Sequence, residues 1–232
     1  MNPAPLAPWR TFAGGAIGLW VAPLAELPAA GDDLAAGHDA GEPGARHRHP
    51  EARRRALAVR RLARRALAWI DSRHAWKIAH RASGQPYLPD SRLAISLSHS
   101  GTRVACAIGR TAALGVDLEA IRPRPRLAAF ARRFCSAAEL ERLEALAGAR
   151  RRAAFHEIWT LREAWLKATG VGLAGYADCP CTERALAGAV AGWQWARVGD
   201  IPGYRLALCW PSSAGGPDRA APVNSQTAGR AA

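Results

Sequence analysis

The segment Gly115-Val116-Asp117-Leu118-Glu119 alternates apolar and acidic side chains, and alternation of period two marks a β-strand. In a strand, alternate side chains share a face. Asp117 and Glu119 therefore project to one side, Val116 and Leu118 to the other. Two carboxylates side by side repel each other unless something positive stands between them. A divalent ion with oxygen ligands, Mg²⁺ first among them, removes that repulsion. Two solvated acids on an edge strand account for the same pattern, so the segment alone leaves both readings open.

Further along, Trp159-Thr160-Leu161-Arg162-Glu163-Ala164-Trp165-Leu166-Lys167 has helical spacing. Ile158, Leu161 and Trp165 share one face, and Glu163 and Lys167 lie one turn apart on the opposite side. One reading is a surface Glu–Lys pair worth about 0.2–0.5 kcal/mol. The other places Glu163 beside Asp117 and Glu119 as a third metal ligand, with Lys167 reaching a phosphate on that metal. Mg²⁺ binds few carboxylates and completes its shell with water and substrate phosphate. The helix is expected from His156 to Thr169, ended by Gly170 and Gly172.

Upstream, Ser96-Leu97-Ser98-His99-Ser100-Gly101 reads as a turn between strands Leu93–Leu97 and Val104–Ile108. Hydroxyls and an imidazole in a turn can bind phosphate oxygens. A Ser/His hydrolase needs a nucleophile elbow such as G-x-S-x-G, and none occurs. Outward from these segments, Ile17–Val21 reads as an opening strand in preference to a signal peptide. Residues 29–50, rich in Gly, Ala, Pro and His, read as a loop. Pro50 to about Trp76 reads as a basic amphipathic helix. Gly84, Pro86 and Pro89 mark a turn. A helix is expected from Arg126 to Phe134, and Ser136 with Glu139 three residues later forms a capping box for another. Trp193–Val198 and Tyr204–Trp210 read as closing strands. The expected fold class is α+β, with an N-terminal half over 1–112, a C-terminal half over 113–211 and a disordered tail over 212–232.

The chain has 232 residues, 32 Lys+Arg and 19 Asp+Glu, a net charge of +13. Its length suits one large or two modest domains, and its 49% apolar content excludes a chain held open by charge. No apolar run reaches the roughly 18 residues of a spanning helix. Five cysteines at irregular spacing make a poor disulfide framework and suit a reducing cytoplasm. The positive excess predicts an acidic partner. Between Arg46 and Arg81 there are twelve Arg/Lys and two acids, Glu51 and Asp71. A nucleic-acid-binding protein using the Arg-rich helix of residues 50–76 is therefore the alternative function, although no nucleic-acid fold signature accompanies the charge.

In combination the motifs are far more specific. Ser98-His99-Ser100, Gly115-Val116-Asp117-Leu118-Glu119, Phe134 with Ser136 and Glu139, and Trp159 through Lys167 continuing to Gly170 occur in this order and spacing. Over about residues 50–173 the chain resembles the 4′-phosphopantetheinyl transferase superfamily, specifically the long, pseudo-dimeric type that activates carrier proteins of polyketide and non-ribosomal peptide synthetases. The resemblance implies two similar α+β halves with coenzyme A in the cleft between them. It implies transfer of the phosphopantetheine arm to a serine of an acyl or peptidyl carrier protein, with release of adenosine 3′,5′-bisphosphate. Asp117, Glu119 and Glu163 would hold Mg²⁺, and Lys167 would neutralise the coenzyme diphosphate. Ser98 and His99 would contact coenzyme phosphates. Glu163, or a metal-bound water beside it, would be the general base. Such a transferase would act as a cytoplasmic monomer on an acidic carrier, without nucleic acid or membrane. Two departures stand out: Arg162 replaces the family's lysine before the glutamate, and Gln85 replaces the lysine of its Gly-Lys-Pro. The 3′-phosphate would then fall to arginines near the first helix, with Arg54 or Arg55 the best match and Arg46 and Arg48 nearby. Arg122, Arg124, Arg126, Arg132 and Arg133 are candidates for docking the carrier.

Overall fold

The computed structural model describes residues 4–27, 49–172, 175–176, 179–180, 182–186, 189–190 and 192–212. The expected loop over 29–50, apart from 49 and 50, and the expected tail beyond 212 lie outside them, as do Arg46 and Arg48. The described residues fall into two compact units, 4–112 and 113–212. Mixed helices and antiparallel sheets make the class α+β.

The first unit contains strands β1 (Arg10–Phe12), β2 (Ile17–Pro23), β5 (Ala94–Ser100) and β6 (Arg103–Gly109), a short β3–β4 hairpin (Ala79–His80, Pro86–Tyr87) and helix α1 (Pro50–Ile70). The main sheet has the order β1-β2-β6-β5, antiparallel throughout. α1 lays its apolar stripe on this sheet, so that Leu62, Ala66 and Leu67 are buried with Trp20, Val104 and Ile108. Pro50 opens the helix where its missing N–H costs nothing. The helix ends at Ile70, short of the expected Trp76. The Asp71 carboxylate accepts the Arg73 N–H at 2.9 Å, and the Asp71 carbonyl accepts the Trp76 indole N–H at 2.9 Å. This local turn outcompetes further helix.

Ser98, His99 and Ser100 belong to β5, and the chain turns after them at Gly101–Thr102. Ser98 pairs with Ala105 and Ser100 with Arg103. This corrects the expected turn: the partner strand supplies backbone pairing that three polar residues do not advertise.

The second unit contains β7 (Gly115–Ala120), α2 (Leu127–Phe134), α3 (Ala137–Glu144), α4 (Gly148–Thr169), α5 (Thr182–Leu186), β8 (Ala189–Val190), β9 (Trp193–Val198) and β10 (Tyr204–Pro211). Its sheet runs β7-β10-β9-β8, again antiparallel. α4 is buried on two sides. Leu161, Ala164, Leu166 and Ala168 pack with Trp195, Ala207 and Cys209 of the sheet. Ala154, Phe155 and Ile158 pack with Ala131 of α2 and Leu143 of α3. Phe155 joins Phe130, Phe134 and Trp159 in an aromatic cluster. α4 starts eight residues before the expected His156, because Arg150, Arg151 and Arg152 interrupt an apolar period that Ala154 and Phe155 carry on into the core. Ser136 and Glu139 form both bonds of the expected capping box.

Candidate active site

The site is built where β7 meets α4, and Gly115 sets how close they come. A Cβ at Gly115 would lie 1.8 Å from the Ala164 carbonyl oxygen and 2.7 Å from the Ala168 nitrogen. Only glycine lets this strand touch the helix backbone. Asp117 and Glu119 share the strand face of Gly115, so the approach carries both carboxylates to α4. Val116 and Leu118, on the other face, are buried.

On α4, Glu163 and Lys167 lie one turn apart. Lys167 Nζ donates to Asp117 Oδ1 at 2.7 Å and to the Val116 carbonyl at 3.1 Å. Asp117 is only 5% exposed. Glu163 is half-buried, and its carboxyl is pushed up to about 7. Burial is the main cause; the charges of Asp117 and Glu119 push the same way and Lys167 pushes back. Opposite Glu119 in the β7–β10 register stands Arg205. The second unit thus brings Asp117, Glu119, Glu163 and Lys167 together: three acids and one ammonium.

The donor set fits a hard cation. Carboxylate oxygens are the ligands Mg²⁺ takes, and the charges of Asp117 and Glu119 that push up the Glu163 carboxyl are charges a cation would relieve. Among the described residues, no three Asp, Glu, His or Cys side chains already converge as a ligand cluster.

The other expected site residues lie in the first unit. Ser98 and His99 are successive residues of β5 and so project from opposite faces; Ser98 is buried and His99 half-buried. Arg54 is exposed and Arg55 half-buried in the early turns of α1.

Sequence reasoning missed a second polar cluster. Glu139, 1% exposed, accepts hydrogen bonds from Arg162 Nη2 at 2.6 Å, Arg162 Nε at 3.4 Å, the Ser136 N–H at 2.7 Å and the Thr182 N–H at 3.0 Å, and also from the Thr182 hydroxyl. Arg162 Nη1 reaches the Tyr176 carbonyl at 3.4 Å, and its guanidinium lies over the Tyr176 ring. Burial alone would raise the Glu139 carboxyl; the bonds from Thr182, Arg162 and Ser136 outweigh it and hold the group low. The signal was present: Ile158, Leu161, Arg162 and Trp165 follow the i, i+3, i+4, i+7 spacing of a buried stripe, and an arginine inside such a stripe announces a buried acid.

The family model for the 4′-phosphopantetheinyl transferase superfamily matches residues 113–209, the unit that carries these four residues. The 4′-phosphopantetheinyl transferase HetI of Nostoc sp. is 34% identical over 178 residues, 73% of this chain and 75% of its own length. The chain belongs to the 4′-phosphopantetheinyl transferase superfamily. Two further members are a putative 4′-phosphopantetheinyl transferase of Synechocystis sp., 32% identical over 57% of this chain and 56% of its own, and AcpT of Salmonella typhi, 35% identical over 52% and 62%. Membership makes the β7–α4 junction the place to seek the superfamily's chemistry, since the model's match spans both elements.

Proposed function

We propose that the chain moves the 4′-phosphopantetheine arm of coenzyme A onto a serine hydroxyl of an acyl or peptidyl carrier protein, as the names of its relatives suggest. One observation carries the reading: Lys167 paired to Asp117, beside a Glu163 carboxyl pushed up to about 7. Transfer forms a bond from the serine oxygen to the β-phosphorus and breaks the bond to the departing adenosine 3′,5′-bisphosphate. The serine proton must leave as its oxygen attacks. Glu163, or a water held beside it, is the proposed acceptor of that proton. Lys167 exchanges Asp117 for the diphosphate and neutralises charge that builds on it. Such reactions run mainly on positioning and charge neutralisation. Asp117, Glu119 and Glu163 would hold Mg²⁺, which when bound supplies further neutralisation of the diphosphate.

Ser98 and His99 are the proposed contacts for coenzyme phosphates, and Arg54 and Arg55 for the 3′-phosphate. The carrier is proposed to be acidic and to meet Arg122, Arg126, Arg132 and Arg133, all exposed. Arg124 drops out of that set. Its guanidinium lies 4.9 Å from the Phe130 ring centre and 5.7 Å from those of Phe155 and Trp159, so it is committed to the aromatic cluster. Cys106, Cys135, Cys179 and Cys209 are free thiols, which suits the proposed cytoplasmic setting. No helix among the described residues is long and apolar enough to cross a membrane.

Incubation with apo carrier, coenzyme A and Mg²⁺, read by intact mass, tests the proposal. A gain of one phosphopantetheine arm is expected. No gain on fatty acid, polyketide or peptide carriers, with tight salt-sensitive binding to DNA instead, would overturn it.

A further inference from the structure

The face of α4 that meets β7 is keyed by little. Gly115, Ala164 and Ala168 make the closest contact, and three small residues present no side chain that interlocks. The packing of α4 on β9 and β10 is apolar, and apolar contact is non-directional. Elsewhere α4 is held by the Glu157 carboxylate, which accepts from Arg142 and Arg197, by the Leu161 carbonyl, which accepts from the Trp195 indole N–H, and by His156 at the Arg122 carbonyl. On either side of Glu163, two ion pairs are added. One is Lys167 to Asp117, which in the proposed reaction opens when Lys167 turns to the diphosphate. The other is Arg162 to Glu139, on the residue next to Glu163.

The second contact is built to hold. The Glu139 carboxylate accepts from three segments at once: the N-terminus of α3 through Ser136, α4 through Arg162, and the start of α5 through Thr182. Arg162 adds the Tyr176 carbonyl and ring from the stretch between α4 and α5. Successive helical residues are rotated by about 100°. A guanidinium locked at 162 therefore fixes the direction in which its neighbour at 163 leaves the helix. Replacing a buried ion pair by apolar residues of similar volume is often neutral for stability, so this pair is better explained by what it orients than by what it stabilises.

We propose that Arg162, anchored by Glu139, is a positioning residue: it holds the rotation and height of α4 so that Glu163 and Lys167 stay aimed at Asp117 and Glu119 throughout turnover. The inference rests on the proposed transferase function. It also gives a role to the arginine found where the superfamily usually has lysine. A lysine offers a single point of attachment, whereas the planar guanidinium engages the carboxylate through two nitrogens and the Tyr176 carbonyl through a third.

The double variant Glu139→Leu with Arg162→Met tests this, because it removes both charges and leaves neither buried alone. It is expected to fold and to melt below wild type, because the Ser136 and Thr182 donors lose their acceptor. Its kcat per folded molecule should fall about 10- to 100-fold, the scale of a misplacement near 1 Å, with the carrier KM unchanged and Mg²⁺ bound more weakly in calorimetry with Mg²⁺ alone. Arg162→Lys keeps the charge and stands in if the double variant does not fold; a smaller fall in kcat is expected. An active wild type whose folded variants keep wild-type kcat and Mg²⁺ affinity would overturn the inference alone. So would a loss of activity that merely tracks the folded fraction. A wild type that neither modifies a carrier nor binds Mg²⁺ would overturn the functional reading and the inference with it.

Discussion

Lys167 Nζ stands 2.7 Å from Asp117 Oδ1, tying the last turn of α4 to the middle of β7 across 50 residues of sequence. The lysine side chain is still 31% exposed while the aspartate is nearly sealed. A buried acid thus holds a cation that solvent or a ligand can reach. That asymmetry suits a lysine that must change partners.

Lys167→Met should therefore separate stability from activity. Removing the exposed partner takes from a nearly sealed carboxylate its ammonium, at a cost of about 1–3 kcal/mol, a shift of about 2–12 °C in Tm for a chain of this size. Loss of one group that neutralises developing charge should lower kcat about 100-fold or more. Thermal melts and the intact-mass transfer assay measure the two. A large fall in Tm with normal kcat would make the lysine structural.

Gly115→Ala should damage fold and site together. The new methyl would meet the Ala164 carbonyl on one side and the Ala168 amide on the other, both backbone. Neither can turn away like a side chain. The strand must lift off the helix, at a cost of about 1–3 kcal/mol, and Asp117 moves with it. Urea denaturation should show a lower midpoint and transfer activity should fall; an unchanged midpoint would refute the close approach.

Much of this site could be read from local pattern. The alternation of residues 115–119 placed both acids on one strand face, and Ser136 with Glu139 announced the start of α3. What escaped were long-range partners. Ser98 and His99 became strand residues because β6 lay alongside, and nothing in their own chemistry foretold it. Glu139 carried a visible local duty as a cap and a hidden one as the anchor of Arg162, 23 residues away. Helical spacing sets Lys167 beside Glu163, whereas its ion pair reaches across to Asp117 on β7. Spacing along one element reports which residues share a face; it is silent on what the next element brings to that face.

His156 should make the fold acid-sensitive. It is fully buried, its Nε2–H donates to the Arg122 carbonyl at 3.4 Å, and Nδ1 has no hydrogen-bond partner among the described residues. Burial depresses its pKa, and Arg124, Arg122 and Arg205 add to the effect against the Arg122 carbonyl bond. The unfolded chain thus takes up the proton near pH 6.5, before the folded one does. The His156 contribution to stability is fully present above that pH and declines as pH falls through and below it, while Glu163, pushed up to about 7, contributes with the opposite sign over the same range. Glu139, held low, adds a second loss only at more acid pH. His156→Leu should flatten the decline between about pH 6.5 and 5 in urea titrations and leave the later one; an unaltered pH profile would show that His156 is not its source.

Charge reversal at Arg126, Arg132 and Arg133 should weaken docking alone. All three are exposed around α2, and exposed charges act mainly on encounter rate and salt dependence. The carrier KM should rise and its salt sensitivity shrink, with coenzyme A affinity unchanged. Steady-state kinetics at two ionic strengths decide it, and an unmoved carrier KM would assign these arginines to a merely solvated face.

Mg²⁺ binding should release a proton near neutral pH. With Glu163 pushed up to about 7, part of its population is protonated at that pH in the metal-free protein. A carboxylate must be deprotonated to ligate. The sign follows: a cation that binds only the ionised form lowers the carboxyl's pKa, so apparent Mg²⁺ affinity falls as pH drops below about 7 and levels off above it. Calorimetry in two buffers of different ionisation enthalpy should therefore give different apparent enthalpies at pH 7 and converge by about pH 8.5. Glu163→Gln should abolish the difference as well as weaken binding. Buffer-independent enthalpies at pH 7 in a protein that binds Mg²⁺ would mean that Glu163 is already ionised or takes no part in holding the ion.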